Sequence, residues 1–485
     1  MVSPLLTDLY QLTMAQGYLR AGRARDRAVF HLMFRKLPFG GGYAVAAGLE
    51  AVLELVESFR FEADDLAYLG SLQAEDGSAI FGQDFLSYLR ELRLGLDIEA
   101  LPEGTLVFAN EPLVRVRGNL LEAQLLETTL LNAINFPTLI ATKAARVCEA
   151  AGGQSVLEFG LRRAQGTDGA LSASRAAFIG GCSATSNVLA GKRFGIPVRG
   201  THAHSWVMTF GDELEAFEAY ADAMPNNAVF LVDTYDSLEG VRNAITVGQR
   251  LRARGKELQG IRLDSGDLAW LSNEARALLD AAGFEDTFIV GSNDLDEHLI
   301  ASLKQQGTSI SVWGVGTKLV TAYDQPALGG VYKLSMIGHE DGPLEPRIKL
   351  SEQAAKISNP GVQQVRRFSR HGKLVADAIY DEQQGCASPA TIVDPLDPTR
   401  RRTLTGDLTH EDLLVPAVRA GKVVAARPSL PEIQARAKAQ LAALSPSVRR
   451  LVHAHEYPVG LTRELFNERV RLVEALRVSS SSSER

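Results

Sequence analysis

The chain has 485 residues, of which 45% are hydrophobic and 22% are charged, and its formal net charge is −7. This length and composition are typical of a globular protein with two or three domains, and they exclude wholesale disorder. The negative charge excludes a broad basic surface for nucleic acid or anionic lipid, so we expect neither partner. No stretch reaches the roughly 20 apolar residues of a membrane span.

The cysteine content and the first residues of the chain indicate in which cellular compartment the protein is expected. Cys148, Cys182 and Cys386 are far apart in the sequence and include no CxxC pair. This spacing indicates neither a disulfide framework nor a zinc site. The opening MVSPLLTDLYQLTMAQGY contains an acidic residue and lacks the basic start and apolar core of a signal peptide. We therefore expect a cytoplasmic protein.

The first part of the chain, residues 1–125, mixes helical patterns with a predicted pair of strands. The pair lies within GTLVFANEPLVRVRG (104–118), and residues Asn110 to Pro112 predict the turn between its members. We assign this part to a sheet-containing domain.

The middle of the chain, from Ser155 to about Thr321, alternates short apolar runs with helical patterns. Such alternation is typical of βα units. The runs predicted as strands are SVLEF (155–159), AAFIG (176–180), IPVRG (196–200), AVFLV (228–232), LQGIRL (258–263), TFIVG (287–291) and SISVWGVG (309–316).

Two intervening segments show clear helix signals. Asp267 can cap a helix that ends at Gly283, and Asp236 or Ser237 can begin another. Each helix presents one apolar stripe, as an outer barrel helix does. The pattern therefore predicts an α/β fold whose residues 126–327 form an incomplete parallel α/β barrel of about seven strands, in preference to an open doubly wound sheet.

The remainder of the chain returns to strands and then helices. Residues 328–430 resemble a β meander, with GGVYKLSMI, PRIKLS, KLVADAIYD and ATIVD as its strands. Residues 431–478 are predicted to be helical and residues 479–485 to be disordered. We expect the N-terminal and C-terminal flanks to form together a second, α/β sandwich-like domain.

Polar residues at the carboxyl ends of barrel strands are candidates for the active site. The segment GVGTK (314–318) follows the last predicted strand, where glycine amides can bind phosphate oxygens and Lys318 can add charge. Glycine-rich turns also occur at barrel ends for steric reasons alone, so both interpretations stay open at this point.

The segment RLDSGD places Arg262 on a strand and Asp264 beyond the strand's end. The arginine could bind a carboxylate in bidentate fashion, and the acid could orient a magnesium ion or ribose hydroxyls. An internal ion pair between Arg262 and Asp264 is the alternative. Asp267 is explained as a helix cap.

Two further strand ends carry basic residues. In LRRAQG, Arg162 and Arg163 would point to opposite faces if the strand continues, and one of them could bind an anion. In GTHAHSW, His202 and His204 would share a face if the strand persists. Either ring could hydrogen-bond or, when neutral, attack phosphorus, whereas metal binding is disfavoured because no second ligand cluster complements them.

Six motifs in their order along the chain resemble those of the nicotinate phosphoribosyltransferases, a type II phosphoribosyltransferase family. The resemblance runs from residue 7 to about residue 380. Its motifs are TDLYQLTMAQGY, FRKLPFGGGYAVAAGLE, EFGLRRAQG, GTHAHSW, RLDSGD and GVGTKLVTAYDQPALGGVYKL.

The resemblance implies an ATP-coupled, ligase-type enzyme of NAD salvage. Nicotinate, 5-phosphoribosyl 1-diphosphate, ATP and water would give nicotinate mononucleotide, diphosphate, ADP and phosphate. It further implies Mg²⁺, a phosphohistidine, and a homodimer in which Tyr10 reaches the site from the partner subunit. No metal ligands are assigned. The implied residues are His204 as the phosphorylated histidine, Tyr10, Thr201 and Arg262 as nicotinate contacts, Thr317 as a phosphoribosyl diphosphate contact, and Arg162, Ser205, Asp264 and Gly316 as neighbours of the site.

Other functions remain as alternatives. A related phosphoribosyltransferase could prefer nicotinamide or quinolinate. A sugar-phosphate aldolase or isomerase would need a lysine or an acid and base pair at a strand end, for which Lys318 is weak support. A nucleotide sensor would bind without turnover.

Overall fold

The structure is a computed structural model that describes residues 3–482. The chain folds into two compact units: residues up to Leu139 together with those from Ala327 onward, and Ile140–Pro326. The sequence-based prediction placed the barrel domain at residues 126–327. Among the described residues, no helix combines the length and apolar character needed to cross a bilayer.

The strands, in chain order, are β1 (Arg27–Phe34), β2 (Ala44–Val45), β3 (Asp97–Ala100), β4 (Leu106–Val107), β5 (Val114–Asn119), β6 (Ser155–Glu158), β7 (Ala184–Thr185), β8 (Val229–Leu231), β9 (Gly260–Leu263), β10 (Phe288–Gly291), β11 (Val312–Val315), β12 (Gly330–Gly338), β13 (Glu345–Pro346), β14 (Gln363–Arg370), β15 (Lys373–Asp381), β16 (Ala390–Val393), β17 (Arg401–Leu404), β18 (Thr409–Asp412), β19 (Val415–Arg419), β20 (Lys422–Val423) and β21 (Val459–Thr462).

The α-helices are α1 (Leu9–Arg20), α2 (Leu49–Ser58), α3 (Ala63–Ser71), α4 (Gln83–Glu91), α5 (Leu120–Leu125), α6 (Glu127–Ala151), α7 (Gly166–Ile179), α8 (Val188–Phe194), α9 (His204–Val207), α10 (Glu213–Ala223), α11 (Ser237–Ala253), α12 (Leu268–Ala281), α13 (Glu297–Gln305), α14 (Thr317–Val320), α15 (Leu430–Ala443), α16 (Pro446–Arg449) and α17 (Arg463–Ser482). Short 3₁₀ turns lie at Pro38–Gly40, Leu161–Arg163 and Ala354–Lys356.

The unit formed by the middle of the chain contains a parallel sheet with the order β7-β6-β11-β10-β9-β8. All of its strand pairs are parallel, so each connection must cross over the sheet, and helices supply these crossovers. The sheet does not close, and it leaves β7 and β8 as its edges. The predicted incomplete parallel α/β barrel is thereby confirmed as a half-barrel, although it has six strands where about seven were predicted.

Two of the seven predicted strands were wrong. AAFIG (176–180) lies mostly in helix α7, whose small side chains are buried along the run. IPVRG (196–200) makes only an isolated bridge between Val198 and Thr185. The strand that occupies this edge is β7, two residues long, which no apolar run in the sequence announced.

The core of this unit lies between the sheet and its helices. Val156, Phe230, Ile261, Ile289 and Trp313 come from five neighbouring strands and are buried. Full burial of side chains of this size contributes about 1.5–3 kcal/mol each. The predicted helices α11 and α12 begin where expected, because the side chains of their preceding aspartates accept backbone N–H groups of the first turn.

The other unit is built from both flanks of the chain, as predicted. Its antiparallel sheet has the order β13-β12-β1-β5-β3-β19-β20, in which β1 pairs with β12 and β3 pairs with β19. A second, mixed sheet has the order β17-β16-β21-β15-β14-β18, and β2 pairs with β4.

Several local predictions in the flanks differ from the structure. The two strands predicted within 104–118 become β4 and β5, which belong to different sheets and do not pair. The segment 328–430 is divided between both sheets and forms no single meander, and PRIKLS contributes only its first residue, to β13. The predicted helical tail is interrupted by β21. Helix α17 continues to Ser482, and residues 483–485 of the predicted disordered tail lie outside the described residues.

Candidate active site

The carboxyl ends of β8, β9 and β10 meet at one edge of the half-barrel. Residues at and just beyond these strand ends contact one another: the Asp264 N–H donates to Asp233 Oδ2 at 2.7 Å, and the Ser292 N–H donates to the Leu263 carbonyl at 2.9 Å. Carboxyl ends of parallel strands are where α/β barrels bind their ligands. This edge is therefore the candidate active site.

Arg262 is held at this edge by three side chains. Its Nε donates to Ser292 Oγ at 2.8 Å, and its two terminal nitrogens donate to Thr201 Oγ1 at 3.2 Å and Asp264 Oδ1 at 3.0 Å. The guanidinium carbon lies 5.6 Å from the centre of the Phe159 ring. Each terminal nitrogen carries a second N–H, so a pre-oriented cation remains able to bind an incoming carboxylate.

Arg262 borders a pocket with a volume of about 280 Å³. This volume suits one aromatic ring with a substituent and is small for a nucleotide. The lining combines aromatic, hydroxyl and cationic groups. Its members are Phe159, Leu161, Arg162, Ser186, Gly200, Thr201, His202, Ala203 and Arg262.

His204 lies beside two carboxylates. It is the first residue of α9, its Nδ1 lies 3.2 Å from Thr234 Oγ1, and its Nε2 lies 3.9 Å from Asp233 Oδ1 and 4.0 Å from Asp264 Oδ2. Its side chain is 41% exposed. The ring is thus oriented on one side and accessible on the other, as a nucleophile requires.

His202 has the opposite environment and lies away from solvent. It is 7% exposed, and its Nε2 accepts the Leu231 N–H at 3.2 Å. No strand covers these residues and α9 begins at His204, so the condition under which His202 and His204 would share a strand face is not met.

Asp233 was missed by the sequence analysis. Its Oδ2 accepts the Asp264 N–H and the Ser265 hydroxyl, both at 2.7 Å, while its Oδ1 is buried without a hydrogen-bond partner. Ser292 was missed as well. Their positions in the sequence carry the signal that could have identified them: Asp233 directly follows the predicted strand AVFLV, and Ser292 directly follows TFIVG.

The segment GVGTK lies at the same edge, because β11 is placed between β6 and β10. Thr317 begins α14, and Gly316 precedes it. Steric demands explain part of the glycine content: a Cβ on Gly314 would lie 2.8 Å from Phe159 Cδ2, and one on Gly316 would lie 3.1 Å from the Phe159 carbonyl. The Phe159 ring also lies against the Arg262 guanidinium, so Phe159 is a common neighbour of the candidate phosphate-binding segment GVGTK and of the candidate carboxylate-binding arginine.

Lys318 is engaged by an acid. Its Nζ lies 2.6 Å from Asp296 Oδ2, and Asp296 also caps α13 by accepting the Leu299 N–H at 2.7 Å. The hydrogen bond and charge of Asp296 raise the pKa of the Lys318 ammonium. A charged lysine fixed by a helix cap is a poor Schiff-base nucleophile, which weakens the aldolase alternative.

The other predicted residues are placed as follows. Arg162 is exposed in the turn Leu161–Arg163; β6 ends at Glu158, so the condition under which Arg162 and Arg163 would point to opposite strand faces is not met. Ser205 is exposed on α9. Tyr10 lies on α1, in the unit formed by the flanks; it is 48% exposed, and partial burial raises the pKa of its hydroxyl.

Within residues 3–482, no group of three or more His, Cys, Asp or Glu side chains is arranged to hold a metal ion.

The chain matches three family models along most of its length. Residues 5–135 match the nicotinate phosphoribosyltransferase N-terminal domain, residues 154–343 match the nicotinate phosphoribosyltransferase family, and residues 363–469 match the C-terminal domain.

Relatives and solved structures agree with these models. The chain is 46% identical to the nicotinate phosphoribosyltransferase of Bacillus subtilis, over 98% of this chain and 96% of that protein. It is 37% identical to the Homo sapiens nicotinate phosphoribosyltransferase, over 95% of each. The crystal structure of human nicotinic acid phosphoribosyltransferase superposes with a TM-score of 0.84 at 35% identity, covering 96% of this chain and 99% of that one. The chain therefore belongs to the nicotinate phosphoribosyltransferase family.

Proposed function

We propose that the chain transfers the 5-phosphoribosyl group of 5-phosphoribosyl 1-diphosphate to nicotinate, as a cytoplasmic enzyme of NAD salvage. The products are nicotinate mononucleotide and diphosphate, and hydrolysis of ATP to ADP and phosphate accompanies the transfer. The observation that carries the proposal is Arg262, whose guanidinium is held by Ser292, Thr201 and Asp264 at the edge of a pocket of ring size.

Arg262 would select nicotinate by its carboxylate. A guanidinium pairs with a carboxylate through charge-assisted hydrogen bonds. The neutral carboxamide of nicotinamide would leave this largely buried cation, whose side chain is 15% exposed, without a counter-charge beyond Asp264. Sites that lose such a partner discriminate strongly against the wrong substrate.

Bond formation needs alignment more than proton transfer. The pyridine nitrogen attacks ribose C1 while the bond from C1 to the diphosphate oxygen breaks, so positive charge develops on the ribose and the leaving group carries the electron pair away. Thr317, Gly316 and Arg162 would hold the phosphates, and the Arg262 pocket would aim the ring. Alignment and electrostatic stabilisation together can supply most of such a rate enhancement.

Two carboxylates fit a Mg²⁺ ion. Asp233 Oδ1 is buried without a hydrogen-bond partner, and both it and Asp264 Oδ2 lie about 4 Å from His204 Nε2. Magnesium in such sites takes one or two protein carboxylates and completes its shell with substrate phosphates and water. When bound, it would neutralise charge on the diphosphate.

His204 would carry the phosphoryl group. A neutral ring nitrogen attacks the γ-phosphorus of ATP, an N–P bond forms, the bond to the bridging oxygen breaks and ADP leaves; water later attacks the phosphorus and the N–P bond breaks. The phosphoryl group would add negative charge to a ring whose Nε2 lies 3.9 Å from Asp233 Oδ1 and 4.0 Å from Asp264 Oδ2. Repulsion among these groups would bias the surrounding loops, which is how ATP could change substrate affinity.

The proposal includes a homodimer with the active site at the subunit interface. Tyr10 of one subunit would stack its ring on the pyridine bound to the other, and Ser205 would face the same site. The half exposure of Tyr10 leaves its ring available for such a contact.

The phosphohistidine is tested with ATP labelled in the γ-phosphate. The protein should take up acid-labile label, and substitution His204→Asn should abolish it, because His204 is the accessible ring beside the carboxylates. The matched control is His298→Asn, which alters an exposed histidine on α13 and should label normally. ATP-stimulated transfer that persists at the wild-type rate in His204→Asn would refute the coupling.

Base selection is tested by measuring mononucleotide formation from nicotinate, nicotinamide and quinolinate. Arg262→Lys keeps the charge but loses the fork of N–H donors, so kcat/KM for nicotinate should fall about a hundredfold. Arg242→Lys, on the exposed face of α11, is the control and should leave all rates unchanged. If the wild type turns over nicotinamide or quinolinate faster than nicotinate, the preferred substrate is that base and the proposal of nicotinate is wrong.

A further inference from the structure

The half-barrel leaves an open edge at β8, and one histidine covers part of it. The backbone N–H and C=O groups of Phe230 and Val232 point toward the neighbouring strand β9. The Val232 N–H, for example, donates to the Arg262 carbonyl at 3.1 Å. Residues alternate along a strand, so the Leu231 N–H points away from β9. Its partner is His202 Nε2, at 3.2 Å. A side chain thus takes the place that a further strand would occupy.

The surroundings of His202 fix its tautomer. Because Nε2 accepts the Leu231 N–H, the ring proton lies on Nδ1, which is 3.4 Å from the Ala203 carbonyl. The ring packs among aromatic side chains: it meets Tyr220 edge-on at 4.9 Å between centroids, and Phe217 and Phe230 lie at 5.8 Å and 6.3 Å. Burial lowers the pKa of His202 to about 4, so the ring is neutral in the range in which cells operate.

His202 stands between two residues of the proposed site. The Thr201 hydroxyl accepts from Arg262 at 3.2 Å and donates to the His202 carbonyl at 3.0 Å. On the other side, Ala203 is the residue before α9, which begins with His204. With no strand over residues 200–203, the His202 side chain is a main tether of this segment to the sheet.

We propose that His202 is a positioning residue: by accepting the Leu231 N–H at the open edge of the half-barrel, it holds Thr201 against Arg262 and sets the placement of His204. The role rests on the proposed function, since it acts on nicotinate binding and on phosphorylation. Both ring nitrogens of His202 face backbone groups, Nε2 the Leu231 N–H and Nδ1 the Ala203 carbonyl, so the role we assign to it is positioning. Loss of its acceptor weakens binding of the base while the intrinsic transfer step is retained.

Three substitutions of His202 distinguish the effect of losing the hydrogen-bond acceptor from the effect of changing the shape of the side chain. His202→Gln places an amide oxygen close to the position of Nε2 and keeps the acceptor. His202→Phe fits the aromatic surroundings but has no acceptor, and His202→Asn is polar but too short to reach Leu231. The first readout is hydrogen exchange of the peptide that contains the Leu231 amide, measured on the full chain.

The expected results form one pattern. Exchange at Leu231 is faster in His202→Phe and His202→Asn than in the wild type, and it stays slow in His202→Gln. The KM for nicotinate rises about tenfold in the two variants without an acceptor, as expected for one lost buried hydrogen bond. Their kcat changes less than about threefold, their rate of His204 phosphorylation falls, and His202→Gln stays within about twofold of the wild type.

Contrary results are equally well defined. Unchanged Leu231 exchange in His202→Phe and His202→Asn overturns the proposal, as does an equal KM increase in all three variants. If His202→Phe fails to fold, the comparison of His202→Gln with His202→Asn decides alone. A wild-type protein that makes no mononucleotide from nicotinate refutes the proposed function instead, and the exchange of Leu231 still tests the tether.

Discussion

At the scale of single residues, two histidines one position apart have opposite properties. His202 is 7% exposed and surrounded by aromatic rings, whereas the His204 side chain is 41% exposed beside carboxylates. The spacing in GTHAHSW could not assign these roles, because both depend on where the chain turns into α9 and on Leu231, which is 29 residues from His202. Exposure and hydrogen-bond partners, both set by the fold, distinguish the two rings and support the different roles proposed for them.

The buried ring makes a prediction for acid stability. The pKa of His202 is lowered from 6.5 to about 4, mainly by burial, with contributions from the charges of Arg262 and His204. Between these values the unfolded chain binds more protons than the folded chain, so the stability present above pH 6.5 is lost as the pH falls toward 4. The full effect is about 3 kcal/mol, and about 2 kcal/mol of it falls between pH 6.5 and 5.

Urea unfolding at pH 7 and pH 5 measures this effect. The free energy of unfolding of the wild type should fall by about 2 kcal/mol more than that of His202→Gln over this interval, because glutamine does not titrate. His31, the other buried histidine with a lowered pKa, is present in both proteins and cancels in the comparison. Equal losses in the two proteins would show that His202 titrates normally.

At the scale of elements, helix α11 lies so close to the residue that follows β8 that one position allows only glycine. A Cβ on Gly240 would lie 2.0 Å from the carbonyl oxygen of Val232, and this oxygen belongs to the backbone and cannot rotate away as a side chain could. Gly240→Ala should therefore push α11 away from the sheet at the residue preceding Asp233. We expect a loss of about 2–3 kcal/mol in the free energy of unfolding and a lower kcat, measured by denaturant unfolding and product formation.

A second glycine provides the control. Gly169 lies in α7, and a Cβ there would have no atom within 4 Å. Gly169→Ala should be neutral or stabilise the protein by up to about 1 kcal/mol, because alanine favours the helix. If both substitutions have the same effect, helix propensity and not the contact with Val232 determines the cost at Gly240.

The elements that could be predicted from the sequence are those with local signals. Asp236 and Asp267 cap α11 and α12, and both helices begin as expected. AAFIG was misassigned because a helix buried on several sides has the same apolar run as a buried strand. The end of β8 was overlooked as a source of site residues, although Asp233 contacts the amide of Asp264. Which strand ends lie next to each other depends on the order of strands in the sheet. A local sequence pattern does not reveal this order.

At the scale of the whole molecule, the unit built from the flanks depends on pairing across the chain. β1 pairs with β12 from Arg27 opposite Gly338 to Phe34 opposite Gly330. The sequence predicted that the flanks come together, but it did not predict which strands pair, because about 300 residues, including the whole half-barrel, separate the partners. Long-range pairings of this kind are set by packing and register, for which one sequence gives little information.

The proposed dimer makes a prediction that requires two different subunits. Tyr10→Ala and His204→Asn should each abolish ATP-stimulated mononucleotide formation. If Tyr10 serves the partner's site, a mixed dimer of these variants contains one site with both lesions and one site with neither. Unfolding the two proteins together and refolding them gives mixed dimers in about half of the population, so about a quarter of the wild-type activity should return. If Tyr10 and His204 of the same chain share a site, every site in the mixture keeps one lesion and no activity returns. Each variant refolded alone controls for residual activity, and wild-type protein treated in the same way gives the recoverable maximum.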